Sequence, residues 1–475
     1  MAKWQTIYSL ATFLLSLIQV AILARLVSLS DFGLVAIVMM IINMSQVLSD
    51  LGMANYLVYR QDISEKLNST VFWVCSVSGS VLIFILVMLS PVISNVYDND
   101  RVGELLALIA LNFIPISLSA QLQARYVANF KVNTLSFFDL VSKVLGLIIS
   151  VSVALLGFGA ESLISGVIAS SSIKCLFIWF FAEKDWKPKF MFCKSEAKNA
   201  LGYGVYQVGS QLINQYRANL DTLLLGIFIS PAQLGAYNLA KQLIQKPAAL
   251  ILPIIQKITL PFIASLQENR DELRLLINKS HVYLSILLIF PYILLCFLNK
   301  DVVTILYGPE KQEAVSLLVI PLSLFWLFRT IGGGLVGPLT QGLGKTKRDF
   351  YWNLSVSGLF TIFCVLLAPI SEYALAWGLS ILQFLLMNII YIVFYRSSVK
   401  LKYLSYIYPI LIFHLLSFIS VMISSEVVSF VNLNIYLNSF LITILSMFLY
   451  YLFGYKFAVK LVEIPNFKNF IKGNG

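Results

Sequence analysis

The residues of this sequence that could do chemistry are charged side chains inside long apolar segments. The cations there are Lys143, Lys174, Arg217, Lys241, Lys246, Lys257 and Arg329, with Arg25 near the end of the first segment. The acids there are Asp50, Asp139 and Asp221. An unpaired charge at the centre of a membrane costs at least about 2.5–3.5 kcal/mol, so such residues usually face a wet cavity or a partner. Because cations outnumber acids, the pattern favours an anionic substrate.

The composition places these segments in a membrane. Of 475 residues, 59% are hydrophobic and 12% are charged, whereas roughly 25% of a soluble domain is charged. No stretch is polar enough to form the surface of a soluble domain, so we predict an all-α, multi-pass membrane protein. The net charge of +11 is a topology signal rather than a nucleic-acid footprint, because basic residues collect in cytoplasmic loops.

About fourteen segments are long enough to cross roughly 30 Å of hydrocarbon. They lie at approximately 7–27, 34–59, 70–97, 102–124, 135–158, 160–182, 199–229, 234–263, 278–299, 313–343, 350–370, 372–395, 403–425 and 429–455. With the N-terminus inside, twenty-three Lys and Arg residues fall in cytoplasmic segments and four in outer loops. The positive-inside rule therefore predicts that both termini are cytoplasmic.

Two short matches indicate an internal duplication. Residues 23–35 align with 224–237, placing Ser28 over Ser230 and Gly33 over Gly235, and residues 114–118 recur at 320–324. We predict an N-terminal six-helix bundle at 1–182, a basic cytoplasmic linker at 183–198, a second six-helix bundle at 199–395, and two extra helices with a cytoplasmic tail at 396–475. Because six is even, both bundles keep one orientation, as in parallel repeats around a central cavity.

Some of the intramembrane charges have a structural explanation. Two pairs lie four residues apart on one helix face, Asp139 with Lys143 and Arg217 with Asp221. Such pairs either neutralise each other structurally or face a cavity. Lys174 and Lys257 lie near the cytoplasmic ends of their spans, where we expect their stems to reach the headgroups.

Arg329 and Lys246 are the strongest candidates for substrate binding. Both lie near the middle of their spans, with no acid three or four positions away. Lys241, Arg25 and Arg217 are further candidates for the same cationic cavity. The acids Asp221, Asp50 and Asp139 are candidates for coupling to H⁺ or Na⁺.

No cofactor, metal or catalytic site is predicted. The five cysteines form no Cys-x-x-Cys pair, and the chain has two histidines, so neither a disulfide framework nor a metal site is indicated. The longest outer loop, about 300–312, is small, and no nucleophile with a base is visible. We therefore predict a transporter rather than an enzyme. A membrane-embedded polysaccharide polymerase or ligase remains the alternative of another class.

Three segments, 24–64, 219–248 and 328–353, resemble polysaccharide exporters of the multidrug/oligosaccharidyl-lipid/polysaccharide exporter superfamily. The similarity covers nearly the whole chain and is closest to the colanic-acid-exporter branch of the Wzx-type flippases. It implies a V-shaped pair of six-helix bundles with a cationic lumen lined by Arg25, Lys241, Lys246 and Arg329. A cation-coupled multidrug exporter of the same superfamily is the alternative, but excess intramembrane cations would repel cationic drugs.

The resemblance further implies what is carried and where. The cargo would be an undecaprenyl-diphosphate-linked oligosaccharide, moved by alternating access across the bacterial inner membrane for O-antigen, capsule or exopolysaccharide synthesis. Membrane lipids, a polysaccharide polymerase and a chain-length regulator are the expected partners, and nucleic acid is not. Several amides in the spans either contact sugar hydroxyls or hydrogen-bond between helices, namely Asn43, Gln46, Asn55 and Asn214.

Overall fold

A computed structural model describes residues 2–49, 51–60, 63–431 and 434–462. Nearly all of this part of the chain is α-helical, because a helix satisfies its own backbone hydrogen bonds where lipid offers none. The helices are α1 Ala2–Leu26, α2 Leu29–Ser49, α3 Met53–Arg60, α4 Glu65–Val96, α5 Asp100–Ala110, α6 Phe113–Ala128, α7 Val132–Leu155, α8 Gly159–Phe181, α9 Lys194–Phe228, α10 Pro231–Ser265, α11 Arg270–Phe297, α12 Asn299–Tyr307, α13 Gln312–Gly333, α14 Val336–Gly342, α15 Thr346–Leu367, α16 Glu372–Ile390, α17 Ser397–Val399, α18 Tyr403–Ser429 and α19 Ile435–Val462.

The prediction of an all-α, multi-pass membrane protein is confirmed. In the described part of the chain, twelve helical segments are long and apolar enough to cross a membrane, and α1 adds the shorter apolar stretch Leu10–Leu26. The remaining predicted span, 199–229, lies within α9, which is 35 residues long but is not one of the helices apolar enough to cross a membrane. It carries many more polar side chains than the other spans, and some of them line a cavity described below.

Three predicted spans are each divided into two helices. The predicted span 34–59 consists of α2 and α3, separated by a turn in which Leu51 and Gly52 have φ angles of 50° and 73°. Left-handed residues end an α-helix because they interrupt its hydrogen-bond ladder. The turn also touches α9, since a Cβ on Gly204 would lie 1.8 Å from the Leu51 carbonyl oxygen. The predicted spans 102–124 and 313–343 are also divided, into α5 and α6 and into α13 and α14, but neither break contains a residue with a positive φ angle.

The helices form two compact units, Met1–Asn238 and Leu239–Gly475. The first unit contains α1 to α9 and the start of α10, and the second contains the rest of α10 and α11 to α19. The bundle and linker boundaries drawn from the sequence stay predictions.

The basic segment predicted as a linker is fastened to α4 in the first unit. The Asn68 amide donates to the Trp186 carbonyl oxygen at 2.9 Å, and the Lys189 and Cys193 backbone N–H groups donate to the hydroxyls of Ser69 and Thr70 at 2.9 and 3.0 Å. Each of these bonds joins residues more than a hundred positions apart. The segment is therefore an ordered strap across the end of α4 rather than a free tether.

Helices α2 and α10 cross in backbone contact within the first unit. A Cβ on Gly33 would lie 1.8 Å from the Pro231 carbonyl oxygen, and a Cβ on Gly235 would lie 1.8 Å from the Leu29 carbonyl oxygen. The sequence repeat that aligns Gly33 with Gly235 also aligns Leu29 with Pro231. The two copies of the motif therefore contact each other reciprocally, and only glycine permits the approach.

The same repeat caps both helices alike. The Ser28 hydroxyl accepts the Asp31 N–H at 3.1 Å and donates to the Asp31 carboxylate at 2.6 Å. The Ser230 hydroxyl accepts the Gln233 N–H at 3.4 Å and donates to the Gln233 side-chain oxygen at 2.8 Å. In each case the hydroxyl accepts one free N–H of the first turn, and at Ser230 the Gln233 side-chain oxygen also accepts the Ser230 backbone N–H at 3.1 Å.

The second unit packs its last two long helices against α11. The Tyr450 hydroxyl of α19 donates to the Ile286 carbonyl oxygen at 2.9 Å, and the Tyr406 ring of α18 stacks on buried His281 with ring centres 4.6 Å apart. Both contacts bury large side chains. The predicted C-terminal pair is thus an integral part of the second unit.

Candidate functional site

Asp139, Lys143 and Lys174 form a charged cluster in the first unit. Helices α7 and α8 approach closely at small residues, since a Cβ on Gly146 would lie 2.8 Å from the Gly166 carbonyl oxygen. This approach brings the Asp139 carboxylate within 3.1 Å of both the Lys143 and the Lys174 ammonium groups. Small residues at a helix interface permit such close packing in membranes.

The expectation that Lys174 extends to the headgroups is wrong. Its ammonium group donates to Asp139 across the α7–α8 interface at 3.1 Å. Pairing with a carboxylate inside the unit replaces the solvation that the headgroups would have offered. The predicted intrahelical pair of Asp139 with Lys143 is present, and Lys174 makes it a cluster of three with one net positive charge.

The cluster lines the wall of a cavity of about 350 Å³. A second cavity of about 570 Å³ shares the lining residues Asn43, Gln46, Ile116 and Gln123 with the first. We refer to the two together as the polar cavity. The Gln123 amide donates to the Ser119 hydroxyl at 2.9 Å, which orients it on the wall. The cavity lies wholly within the first unit.

Helix α9 completes the wall of the polar cavity. Gln211 and Gln215, one turn apart, line its second part. The Asn219 amide donates to the Gln215 carbonyl oxygen at 2.9 Å and to its side-chain oxygen at 3.2 Å. A polar stripe on a spanning helix is stable where it faces water or polar partners, which explains why α9 is less apolar than the other spans.

Asp221 is buried near the far end of α9. Its carboxylate accepts the Tyr237 hydroxyl at 2.9 Å and the Thr222 backbone N–H at 2.8 Å, and the residue is 7% exposed. Charge-assisted hydrogen bonds of this kind stabilise a buried carboxylate. The site is polar enough to hold a charge away from bulk water.

The cationic candidates of the second unit lie on α10 and α13. Lys241 is 9% exposed, and Lys246 and Arg329 are half-buried. The Arg329 guanidinium stacks over the Trp326 ring, 4.9 Å from its centre, and lies 6.0 Å from that of Phe325. The negative face of an aromatic ring attracts a cation at this distance and holds it there.

The remaining predicted site residues lie in the first unit. Arg25 is exposed at the end of α1, and Arg217 is half-buried on α9 between Gln215 and Asp221. Asp50 lies outside the described residues.

Five further amides line the polar cavity and were not predicted from the sequence, namely Gln19, Asn112, Gln123, Gln211 and Gln215. Their signal was available, because each is an amide within an otherwise apolar span, as Asn43 and Gln46 are. Asn43 and Gln46 were predicted to be either sugar-contacting or interhelical, and the structure places both at the polar cavity. Asn214 is exposed on α9, and the side chain of Asn55 lies outside the described part. Among described residues, no three His, Cys, Asp or Glu side chains are grouped to hold a metal ion.

Residues 22–316 match a family model described as "Polysaccharide biosynthesis protein". The chain is 32% identical to the amylovoran biosynthesis protein AmsL of Erwinia amylovora, over 74% of this chain and 91% of that protein. The chain belongs to this polysaccharide biosynthesis protein family.

Other relatives agree with this family membership. The chain is 27% identical to the teichuronic acid biosynthesis protein TuaB of Bacillus subtilis, over 76% of this chain and 74% of that protein. It is 26% identical to the lipopolysaccharide biosynthesis protein WzxC of Escherichia coli, over 76% of this chain and 73% of that protein. The predicted resemblance to Wzx-type proteins is confirmed.

Solved structures identify the fold of this family member. The lipid II flippase MurJ in an inward closed conformation aligns with a TM-score of 0.77, at 16% identity, over 96% of this chain and all of that chain. A multidrug resistance MATE transporter of the MOP superfamily aligns with a TM-score of 0.52, at 14% identity, over 83% of this chain and 96% of that chain. The chain shares the fold of these two proteins, and the prediction that the protein is not an enzyme is confirmed by the relatives.

Proposed function

We propose that this protein translocates an undecaprenyl-diphosphate-linked oligosaccharide across the bacterial inner membrane by alternating access, for the synthesis of a surface polysaccharide. The observation that carries the proposal is a combination found in one chain. It belongs to a polysaccharide biosynthesis protein family, it shares the fold of a lipid II flippase, and its spans contain Lys241, Lys246 and Arg329. A sugar diphosphate cannot enter hydrocarbon, so fixed cations must replace its hydration.

The cations would divide the work by their chemistry. The planar guanidinium of Arg329 would bind two phosphate oxygens at once, whereas Lys241 and Lys246 would act as point charges. Arg25 and Arg217 would contribute further positive potential. Trp326 supports this assignment, because stacking holds the Arg329 guanidinium in one orientation.

Coupling to H⁺ or Na⁺ is proposed at an acid of the first unit. Of Asp50, Asp139 and Asp221, the last is favoured, because its carboxylate is buried and is held in place by hydrogen bonds from the Tyr237 hydroxyl and the Thr222 backbone N–H. Asp139 already carries two ammonium groups at 3.1 Å, which would compete with an incoming cation.

Translocation is testable in reconstituted vesicles. We expect the purified protein to move undecaprenyl-diphosphate-linked glycan between leaflets, measured by the accessibility of the sugars to an added glycan-modifying enzyme. The rate should depend on an imposed H⁺ or Na⁺ gradient, and Asp221→Asn should abolish that dependence. Vesicles that move a cationic dye but no glycan under the same gradient would instead support the multidrug exporter.

Both termini are proposed to be cytoplasmic, and Cys193 in the strap beside α4 reports on this orientation. Its sulfur lies 3.1 Å from the Ser195 hydroxyl. This hydrogen bond, with one from the Glu196 backbone N–H, holds the pKa of the Cys193 thiol below its ordinary value. A lower pKa means more thiolate at neutral pH and faster reaction with maleimide.

We therefore expect an impermeant maleimide to label Cys193 in inside-out vesicles and not in intact spheroplasts. The labelling rate should rise with pH at a midpoint below that of an ordinary thiol, and Ser195→Ala should move the midpoint upward. Cys193→Ser is the control for labelling at Cys75, Cys175, Cys296 or Cys364. Labelling from the outer face of spheroplasts would overturn the proposed orientation.

A further inference from the structure

The polar cavity of the first unit concentrates polar side chains within an apolar bundle. Membrane proteins keep such groups away from lipid because each unpaired one is costly to bury. Seven amides line it, and they come from α1, α2, the start of α6 and α9: Gln19, Asn43, Gln46, Asn112, Gln123, Gln211 and Gln215. Helix packing alone would be served by small residues, as between α7 and α8. The convergence of amides therefore indicates a polar occupant.

The chemistry of the wall matches a sugar. A carboxamide presents donors and an acceptor side by side, and a sugar hydroxyl both donates and accepts. The volumes of about 350 and 570 Å³ lie in the range of small-molecule sites, roughly 300–1,000 Å³. Fixed amides around a space of this size can bind several hydroxyls without carrying net charge.

The charged cluster adds a preference for an acidic group. Each ammonium group has three donors, and Lys143 and Lys174 each direct one towards Asp139. The other donors of the two lysines flank the cavity that both residues line. With one carboxylate against two ammonium groups, the cluster has a net charge of +1. A second carboxylate would neutralise it.

We propose that the polar cavity is a subsite for the sugars of the cargo, in which the amides bind hydroxyls and Lys143 and Lys174 bind the carboxylate of an acidic sugar. The inference rests on the proposed function and deepens it. Asp139 is a positioning residue here, because it holds both ammonium groups at one place on the wall. The subsite is distinct from the candidates for diphosphate binding on α10 and α13.

The test compares matched glycans in reconstituted vesicles. Three probes are used: undecaprenyl diphosphate carrying one N-acetylglucosamine, the same lipid carrying a trisaccharide with a terminal glucuronic acid, and that trisaccharide with glucose in its place. We expect Lys174→Met and Lys143→Met to lower the ratio of acidic to neutral trisaccharide transport at least about tenfold, since each removes charge-assisted hydrogen bonds. Gln123→Leu should slow both trisaccharides relative to the single sugar.

The matched control is Lys131→Met. Lys131 is also paired with an acid, Glu183, but lies outside the cavity, so the ratio should stay at the wild-type value. Asp139→Asn should weaken the preference for the acidic trisaccharide without abolishing it, because both lysines remain but lose the carboxylate that positions them. Two results together would overturn the subsite in favour of ion coupling. Asp139→Asn would abolish the dependence of transport on the H⁺ or Na⁺ gradient, and the lysine variants would leave the ratio of acidic to neutral trisaccharide transport unchanged.

Two other outcomes separate this inference from the proposed function. Equal loss of all three probes in the lysine variants would assign the cluster a structural role and overturn the subsite alone. If the wild-type protein moves none of the probes while a purified flippase used as a positive control does, the proposed function itself fails.

Discussion

Replacing Arg329 by Ala is expected to reduce glycan export by roughly a hundredfold while the protein remains in the membrane. The guanidinium stacks on Trp326 with 4.9 Å between its carbon and the ring centre, and it is proposed to bind two phosphate oxygens. Losing such charge-assisted bonds costs about 3 kcal/mol, which is about two powers of ten in affinity. Surface polysaccharide in a strain lacking its own flippase measures the effect.

Arg348→Ala is the matched control for Arg329→Ala. Arg348 also stacks on an aromatic ring, that of Phe394 at 5.6 Å, but it lies in the first turn of α15 rather than mid-span. Its loss should leave export near the wild-type level. Arg329→Lys should restore only part of the export, because a lysine keeps the charge but cannot bind bidentately.

Lys246→Ala should resemble Arg329→Ala in direction. Export retained in both variants, with normal amounts of protein in the membrane, would remove Arg329 and Lys246 from the binding site.

Replacing Gly33 by Ala is expected to destabilise the protein by about 3 kcal/mol or more. One added carbon would lie 1.8 Å from the Pro231 carbonyl oxygen and 3.1 Å from the Gly235 nitrogen. Both are backbone atoms, so no side chain can rotate away and α2 must separate from α10. Gly235→Ala should act alike, since its Cβ meets the Leu29 carbonyl oxygen at the same distance.

The thermal unfolding midpoint of the detergent-purified protein measures this loss, together with export in cells. Gly202→Ala is the matched control, because Gly202 is also helical and nothing lies within 4 Å of its Cβ position. We expect its midpoint to be equal to or above that of the wild type, since Ala favours a helix by about 1 kcal/mol over Gly. A Gly33→Ala protein that melts at the wild-type temperature would contradict the backbone crossing.

Much of the fold could be predicted because its main signals are local. The length of the apolar segments alone locates the spans. The internal duplication aligns Gly33 with Gly235 from the sequence alone. Family membership followed from residues spread over most of the chain. The breaks within spans were harder to predict from the sequence. The left-handed turn at Leu51 and Gly52 needs only two residues and leaves the hydropathy of the segment unchanged.

The candidate site was harder to predict because it depends on which way each helix faces. Lys174 looked like a lysine near a membrane surface, and only the close packing of α7 on α8 places it at Asp139. Gln123, Gln211 and Gln215 lie far from Asn43 in the chain. The spacing of residues along one helix therefore cannot predict that they share a cavity. Arg25, Arg217, Lys241, Lys246 and Arg329 stay predictions as substrate-binding residues.

By itself, the sequence determined that this is a multi-pass helical membrane protein with an internal repeat and an excess of intramembrane cations. These properties depend on the hydropathy and charge of each segment, which can be read from the sequence without knowing how the segments pack. The tertiary structure alone decided that two glycines of the repeat touch, that the basic strap is anchored, and that one carboxylate, two lysines and seven amides surround the polar cavity. The reason is physical: helix rotation and crossing are fixed by the packing of small residues between distant segments, and that packing has no signature within any single span.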